Sequence, residues 1–102
     1  MKFLTFVVFD STKAADIAAA MDRIQVSPPK GYKVLSQFVC VSPPFPVPPN
    51  SIVGVSITEG ENAEALVSAN YTMLLAGATI HRVPLMEVAA GAAAKVEKEL
   101  KR

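Results

Sequence analysis

The chain has little of what several protein classes require. Its 102 residues include one cysteine, one histidine and no tryptophan. The lone Cys40 cannot form an intramolecular disulfide, and no Cys/His cluster has metal-ligand spacing, so we expect neither a disulfide framework nor a metal site. This cysteine usage favours a reducing compartment. We therefore expect a cytoplasmic protein without a cofactor.

Charge is also scarce, and its two signs are balanced. Ten Lys+Arg stand against nine Asp+Glu, which gives a net charge of +1. Polyanions bind to clustered positive charge, so we expect neither nucleic acid nor a membrane surface as a partner. The apolar segment at residues 1–9 is too short to span a bilayer, and we interpret it as a strand. A composition that is 51% hydrophobic excludes a disordered chain.

The length of the chain predicts one domain over residues 1–102. Residues 3–9 are mostly aromatic or β-branched, as is typical of a strand, and both faces of this strand are apolar. Such a strand belongs at the centre of a sheet that is covered on both sides. Asp10 and the two residues after it can cap a helix, which prolines end after Ser27. Its expected inner stripe is Ala14, Ile17, Ala18, Met21 and Ile24.

Two more strands are expected at residues 33–41 and 52–58. The first of these places Val34, Phe38 and Cys40 on one face by simple alternation. Between the two strands, five prolines in residues 43–49 form a stiff connection. The segment has PxxP form, and such segments can also dock on partner domains.

A second helix and a fourth strand complete the pattern. The helix opens at residues 59–62, where acidic side chains complement the macrodipole, and Gly77 is a plausible stop. The strand from residue 79 contains Pro84, which predicts an edge position or a bulge. Residues 89–102 form a short helix or a frayed tail. The expected inner stripe of the second helix is Ala63, Leu66, Val67, Asn70 and Leu74.

The order of elements, β-α-β-β-α-β, predicts an α+β fold with both helices on one face of a single antiparallel sheet. The first strand nevertheless has large apolar groups on both faces. Leaving three of them in water would forfeit about 5–9 kcal/mol, which is comparable to the stability of a whole domain. A second copy of the sheet is the best cover for that face, and we expect a homodimer that pairs through it.

Three segments resemble a known superfamily: residues 29–35 (PKGYKVL), 59–66 (EGENAEAL) and 83–88 (VPLMEV). They are similar to small uncharacterised members of the dimeric α/β-barrel superfamily, and the likeness extends over nearly the whole chain. The resemblance implies a ferredoxin-like protomer and a dimer whose two sheets form a barrel. Members of the superfamily include oxygenases, haem enzymes, isomerases and ligand-binding domains, so the fold does not select one function.

Few residues are candidates for chemistry. His81 is the only side chain whose unperturbed pKa lies near neutrality, and it could act as a base in a cleft between sheet and helices; it could equally be an exposed edge-strand residue. Polar side chains near the ends of elements could line a ligand pocket or simply form the rim of the core. The candidate ligand-binding residues are Tyr32, Ser56, Asn70, Tyr71, His81 and Arg82.

These observations support a ranked set of functions. The first is a homodimeric small-molecule-binding or accessory protein with an apolar pocket between sheet and helices, open to a small apolar ligand. The second is a cofactor-independent monooxygenase-like or isomerase-like enzyme that uses His81. The third is a structural dimer or an adaptor that uses the proline-rich loop at residues 43–49.

Overall fold

The computed structural model describes residues 1–100 of the chain. This part contains one four-stranded antiparallel sheet and three α-helices, which confirms the predicted mixed α+β class. The last two residues of the predicted tail, 101–102, lie outside the described residues. The elements are β1 (Lys2–Asp10), α1 (Ala14–Val26), β2 (Tyr32–Val39), β3 (Ser51–Gly60), α2 (Ala63–Leu75), β4 (Thr79–Leu85) and α3 (Ala92–Leu100).

The sheet has the order β2-β3-β1-β4, so β1 and β3 are central and β2 and β4 are edges. The register sets Val7 of β1 opposite Gly54 of β3 and Ile80 of β4. Pro84 lies on the edge strand β4, where its missing N–H removes no bond to a further strand. β3 continues through Gly60 before α2 begins, so this strand is longer than its apolar segment predicts.

Both long helices pack on the face of the sheet that includes Val7. Ile17, Ala20 and Ile24 form the buried stripe of α1. At the start of α2, the Asn62 side chain accepts a hydrogen bond from the backbone N–H of Ala65 at 2.9 Å, which caps the helix.

The inner stripe predicted for α2 is largely wrong. The buried residues are Ala65, Ala69 and Met73, whereas Val67 and Leu74 are more than half exposed. Apolar residues occur almost all round this helix, so their spacing gives little information on which side faces the sheet. Small alanines on the buried side let the helix approach the sheet closely. The stripe predicted for α1 needs a smaller correction, since Ala18 is exposed and Ala20 is buried.

A bulge interrupts β2 and changes which residues share its faces. Val34 pairs with Thr58, but Ser36, two residues later, pairs with Ile57, only one residue further along β3. The extra residue inverts the alternation beyond this point. Val34 therefore faces the helices while Phe38, paired with Val55, faces away, so the prediction that they share a face is wrong.

The face of the sheet away from α1 and α2, which we call the open face, is mainly apolar. Only its end near Val8 and Val53 is buried. There the proline-rich loop, residues 43–49, folds back and sets the Phe45 ring edge-on against Phe6, with 5.3 Å between ring centroids. Large apolar side chains of the same face remain at least partly accessible: Leu4, Phe6, Phe38, Val55, Ile57, Val83 and Leu85.

The C-terminal segment forms a helix rather than a frayed tail over most of its length. α3 follows Gly91, which has a φ of 86°, a conformation that glycine adopts without strain. Its apolar residues Val96 and Leu100 are exposed. None of the helices within residues 1–100 is long and apolar enough to cross a membrane.

Candidate functional site

A half-buried arginine connects all four strands with α2 on the helix-covered side of the sheet. Arg82 Nε donates to Asn70 Oδ1 at 3.0 Å, and its Nη2 donates to the same oxygen at 2.5 Å. Its Nη1 lies 3.1 Å from Thr5 Oγ1, 3.2 Å from the Tyr32 hydroxyl and 3.3 Å from Thr58 Oγ1. We call these five residues the Arg82 network.

Strand register explains why these side chains meet. Thr5 lies opposite both Ser56 on β3 and Arg82 on β4, so all three point to the same side of the sheet. The long side chain of Arg82 then extends from one edge strand towards the other. Its guanidinium carbon lies 5.2 Å from the centre of the Tyr32 ring, within range of a cation–π interaction.

The Arg82 network has a positive charge that its own members do not cancel. All four side chains that Arg82 contacts are neutral. A guanidinium does not lose its proton in a protein, so it cannot escape the cost of burial by becoming neutral. Thr5, Thr58 and Tyr32 are each less than a tenth exposed, which lowers the dielectric around Nη1. The cation is hydrogen-bonded, but none of its hydrogen-bond partners within residues 1–100 compensates its charge.

A small cavity lies beside this cation, between the sheet and the two helices. Its volume is about 30 Å³, room for about two water molecules. The apolar part of its wall is Val7, Met21, Ile24, Val34, Ala69, Met73 and Ile80, and the polar part is Thr5, Tyr32, Gln37, Ser56 and Arg82. The site is thus a mainly apolar pocket, partly open to solvent, with one polar, positively charged end.

Two polar side chains in the cavity wall have no protein partner among the described residues. The Ser56 side chain belongs to a residue that is 7% exposed, yet no hydrogen bond to it is found within residues 1–100. No hydrogen bond to the side chain of Gln37, which is half-buried, is found within residues 1–100 either. No buried side-chain oxygen or nitrogen within residues 1–100 lacks a partner, so the polar atoms of these two side chains are accessible, and their donors and acceptors are available to a molecule in the cavity.

The structure brings together four of the six candidate residues named from the sequence. Tyr32, Asn70 and Arg82 belong to the network, and Ser56 lines the adjoining cavity. Tyr71 is 62% exposed, because the residue after Asn70 turns about 100° round the helix.

His81 does not lie in the cleft between sheet and helices, so that interpretation is wrong. Successive residues of a strand point to opposite faces, and His81 therefore points away from the side that Arg82 occupies. Its ring packs against Phe45 on the open face, with 5.3 Å between ring centroids. It lines a cleft of about 290 Å³ beneath the proline-rich loop, together with Asp10.

Asp10, which also lines that cleft, caps the short turn before α1. Its carboxylate accepts hydrogen bonds from the hydroxyl and the backbone N–H of Thr12, which cap the short 3-10 turn before α1. These bonds, with a smaller contribution from Lys13, hold the pKa of Asp10 below its usual value. No group of three or more His, Cys, Asp or Glu within residues 1–100 is arranged to hold a metal ion.

The six candidate residues do not include Thr5, Thr58 or Gln37, which the structure places at the site. Thr58 is fully buried at the centre of the network. Its signal was present, since polar residues at 5, 56 and 58 interrupt two apolar strands. Nothing in the sequence indicates that Gln37 lies at the site, because only the bulge in β2 turns its side chain towards the helices.

A larger depression, of about 530 Å³, lies near the end of α1. Its lining includes Asp22 and Arg23, and both side chains are exposed to solvent. It therefore does not enclose a ligand or place a charge in a low-dielectric setting. The smaller cavity at Arg82 is the better candidate site.

Comparison with known proteins supports the fold alone. No protein-family model matches the chain, and no curated protein does. Among solved structures, the chain is similar in fold to a domain of known structure. This is the C-terminal domain of the MgtC protein from Mycobacterium tuberculosis, with a TM-score of 0.60 and 11% sequence identity over 87% of this chain and 92% of that one. At that identity the likeness extends to the arrangement of strands and helices and not to function.

Proposed function

We propose that the protein is a homodimeric small-molecule-binding or accessory protein whose ligand occupies the cavity beside Arg82. The observation that carries this proposal is the cavity wall, in which the Ser56 hydroxyl has no hydrogen-bond partner among the described residues and the hydrogen-bond partners of the nearby guanidinium are all neutral. Apolar walls with a few convergent polar groups are typical of ligand sites. Cys40, as the sole cysteine, supports a reducing compartment such as the cytoplasm.

The proposal includes a ferredoxin-like protomer of the dimeric α/β-barrel superfamily. Its support is the strand order β2-β3-β1-β4, with both long helices on one face of the sheet. The accessible apolar side chains of the open face support a dimer, because a second copy would remove them from water.

The dimensions of the open face limit how much area such a pair buries. Four strands spaced about 4.8 Å apart, with side chains in about three uncovered rows 6.8 Å apart, present roughly 400 Å² per protomer. Two copies would bury roughly 800 Å², which is the size of a weak interface. Lys2 and Lys33 flank Glu59 at one end of this face, a charge pattern that can complement its own copy across a two-fold axis.

Native mass spectrometry of freshly purified protein tests pairing. We expect a dimer mass for the wild type and a monomer for Val83→Glu, which adds a charge to the open face at a side chain already 45% exposed in the protomer. Val67→Glu is the matched control, since Val67 is 54% exposed on the outer side of α2. A wild-type monomer, or a dimer that survives Val83→Glu, would contradict pairing through this face.

The same spectra test ligand binding. We expect a small adduct on the wild type, lost in Ala69→Met because the longer side chain fills a cavity of this size. Ala18→Met, at an exposed position of α1, is the control. An adduct that persists in Ala69→Met would place the ligand elsewhere.

The two other functions have weaker support. Among the described residues, the wall of the cavity contains neither a histidine nor a carboxylate for general acid–base catalysis. His81 lies across the sheet from it, so an oxygenase or isomerase would have to use the cleft beneath the proline-rich loop. An adaptor role for that loop competes with the packing of Phe45 on Phe6.

A further inference from the structure

The cation in the cavity restricts the class of ligand. We propose that the site at Arg82 binds a small carboxylate of about formate to acetate size. The carboxylate group neutralises the guanidinium and its short carbon body contacts the apolar wall. This inference rests on the proposed small-molecule function, and it adds to that function the charge, the size and the binding group of the ligand.

The positive charge of Arg82 is not balanced by the side chains that it contacts. Its hydrogen-bonded partners are the neutral side chains of the Arg82 network. Removing a cation from water without a counter-ion is unfavourable, whereas an anion in hydrogen-bond contact offsets much of that cost. A bound anion would be stabilised more strongly here than at an exposed arginine, because water screens the charge less.

Several hydrogen-bond donors at the cavity remain available to a ligand. Nη2 has two N–H groups and one protein acceptor, Asn70 Oδ1. Ser56 and Gln37 line the same cavity and make no side-chain hydrogen bond within residues 1–100. An N–H of a guanidinium, a hydroxyl and an amide together form a donor set for the two oxygens of a carboxylate.

The volume of the cavity limits the size of the ligand. A cavity of about 30 Å³ has room for about two water molecules, which admits a carboxylate with a very short carbon chain. The wall also contains Met21 and Met73, whose flexible side chains can adapt to one or two further carbons. Inorganic phosphate has no apolar part to contact this wall and is a mixture of monoanion and dianion near neutral pH, so a single guanidinium does not fully neutralise it.

One substitution tests the charge argument directly. Asn70→Asp is nearly isosteric and puts a carboxylate at the atom that already accepts two hydrogen bonds from Arg82. We expect it to raise the melting temperature without added anion, because the network then contains its own counter-ion. We also expect it to weaken acetate binding at least tenfold.

The experiment compares the wild type with variants in a titration of sodium acetate at constant ionic strength. Melting temperature and isothermal titration calorimetry provide two readouts. For a ligand of four heavy atoms we expect a dissociation constant on the order of millimolar and, near saturation, a rise in melting temperature of about 5 °C or more. Formate should act similarly, while phosphate and the neutral isostere acetamide should have little effect.

Control variants separate the site from general effects of charge. Lys33→Gln removes one positive charge from an exposed position on β2 and should leave acetate binding unchanged. Ser56→Ala, which removes a hydroxyl group outside the Arg82 network, should weaken acetate binding several-fold while the protein remains folded. Arg82→Gln should abolish binding, and the Asn70→Asp result keeps the test decisive if that variant does not fold.

Each alternative outcome overturns the inference in a recognisable way. If acetamide stabilises the protein as much as acetate, and Ala69→Met abolishes both effects, the ligand-binding function remains and the carboxylate class is wrong. If acetate binds equally well to Asn70→Asp, Arg82 does not provide the binding charge. If no small molecule binds and no adduct is found by mass spectrometry, the proposed function is wrong as well.

Discussion

Replacing Thr58 with valine measures how strongly the Arg82 network holds the sheet together. Thr58 is fully buried, so solvent cannot replace the contacts of its hydroxyl, which lies 3.0 Å from Thr5 Oγ1 and 3.3 Å from Arg82 Nη1. A neutral hydrogen bond contributes about 0.5–1.5 kcal/mol and one to a charged group about 1.5–3 kcal/mol. The length of the contact with Arg82 favours the lower values. We expect Thr58→Val to lower the free energy of unfolding by about 2–3 kcal/mol.

Urea denaturation followed by circular dichroism provides that free energy, and a thermal melt should show a fall of about 10–20 °C for a domain of this size. Thr79→Val is the matched control, because Thr79 is exposed on β4 and lies outside the Arg82 network; its effect should stay within about 0.5 kcal/mol. Thr5→Val completes a double-mutant cycle. Since either single substitution removes the bond between the two threonines, the double variant should cost about 1 kcal/mol less than the sum.

Two results would refute this reasoning. If Thr58→Val is no more destabilising than Thr79→Val, the hydroxyl at position 58 does not support the guanidinium. If the effects of Thr5→Val and Thr58→Val are simply additive, the 3.0 Å contact between them contributes nothing to stability.

The helix caps lead to two further predictions. Asn62→Ala should lower the free energy of unfolding by about 0.5–2 kcal/mol, because it leaves the N–H of Ala65 without its acceptor; urea denaturation measures this, and an unchanged midpoint would contradict the cap. The pKa of Asp10 is lowered in the folded state, so its stabilising effect is complete above its unfolded pKa, about 3.9, and is lost as the pH falls through the folded value. Asp10→Asn should therefore be less stable than the wild type near pH 7, with a difference that shrinks below about pH 4, and a pH-independent difference would contradict this.

Several features of the fold and of the candidate site were predictable from the sequence, because they depend on local chemistry. Prolines after Ser27 and between residues 43 and 49 interrupt the regular elements, and Pro84 lies on an edge strand. Ser56, a polar residue within an apolar strand, is a ligand-binding candidate from the sequence, and it lines the cavity. The apolar character of β1 on both faces predicted that the open face needs a cover, and Phe45 supplies part of it.

By itself, the sequence determined the class of fold, the types of the main elements and the segments that connect them, since these follow from periodicity, capping and the geometry of proline. The tertiary structure alone decided which side of α2 is buried, because a helix that is apolar nearly all round has no preferred side until it packs. It also decided the faces of β2, where one extra residue inverts the alternation. The Arg82 network is the clearest case: five residues, from position 5 to position 82, become one charged site only when the strand register brings them together.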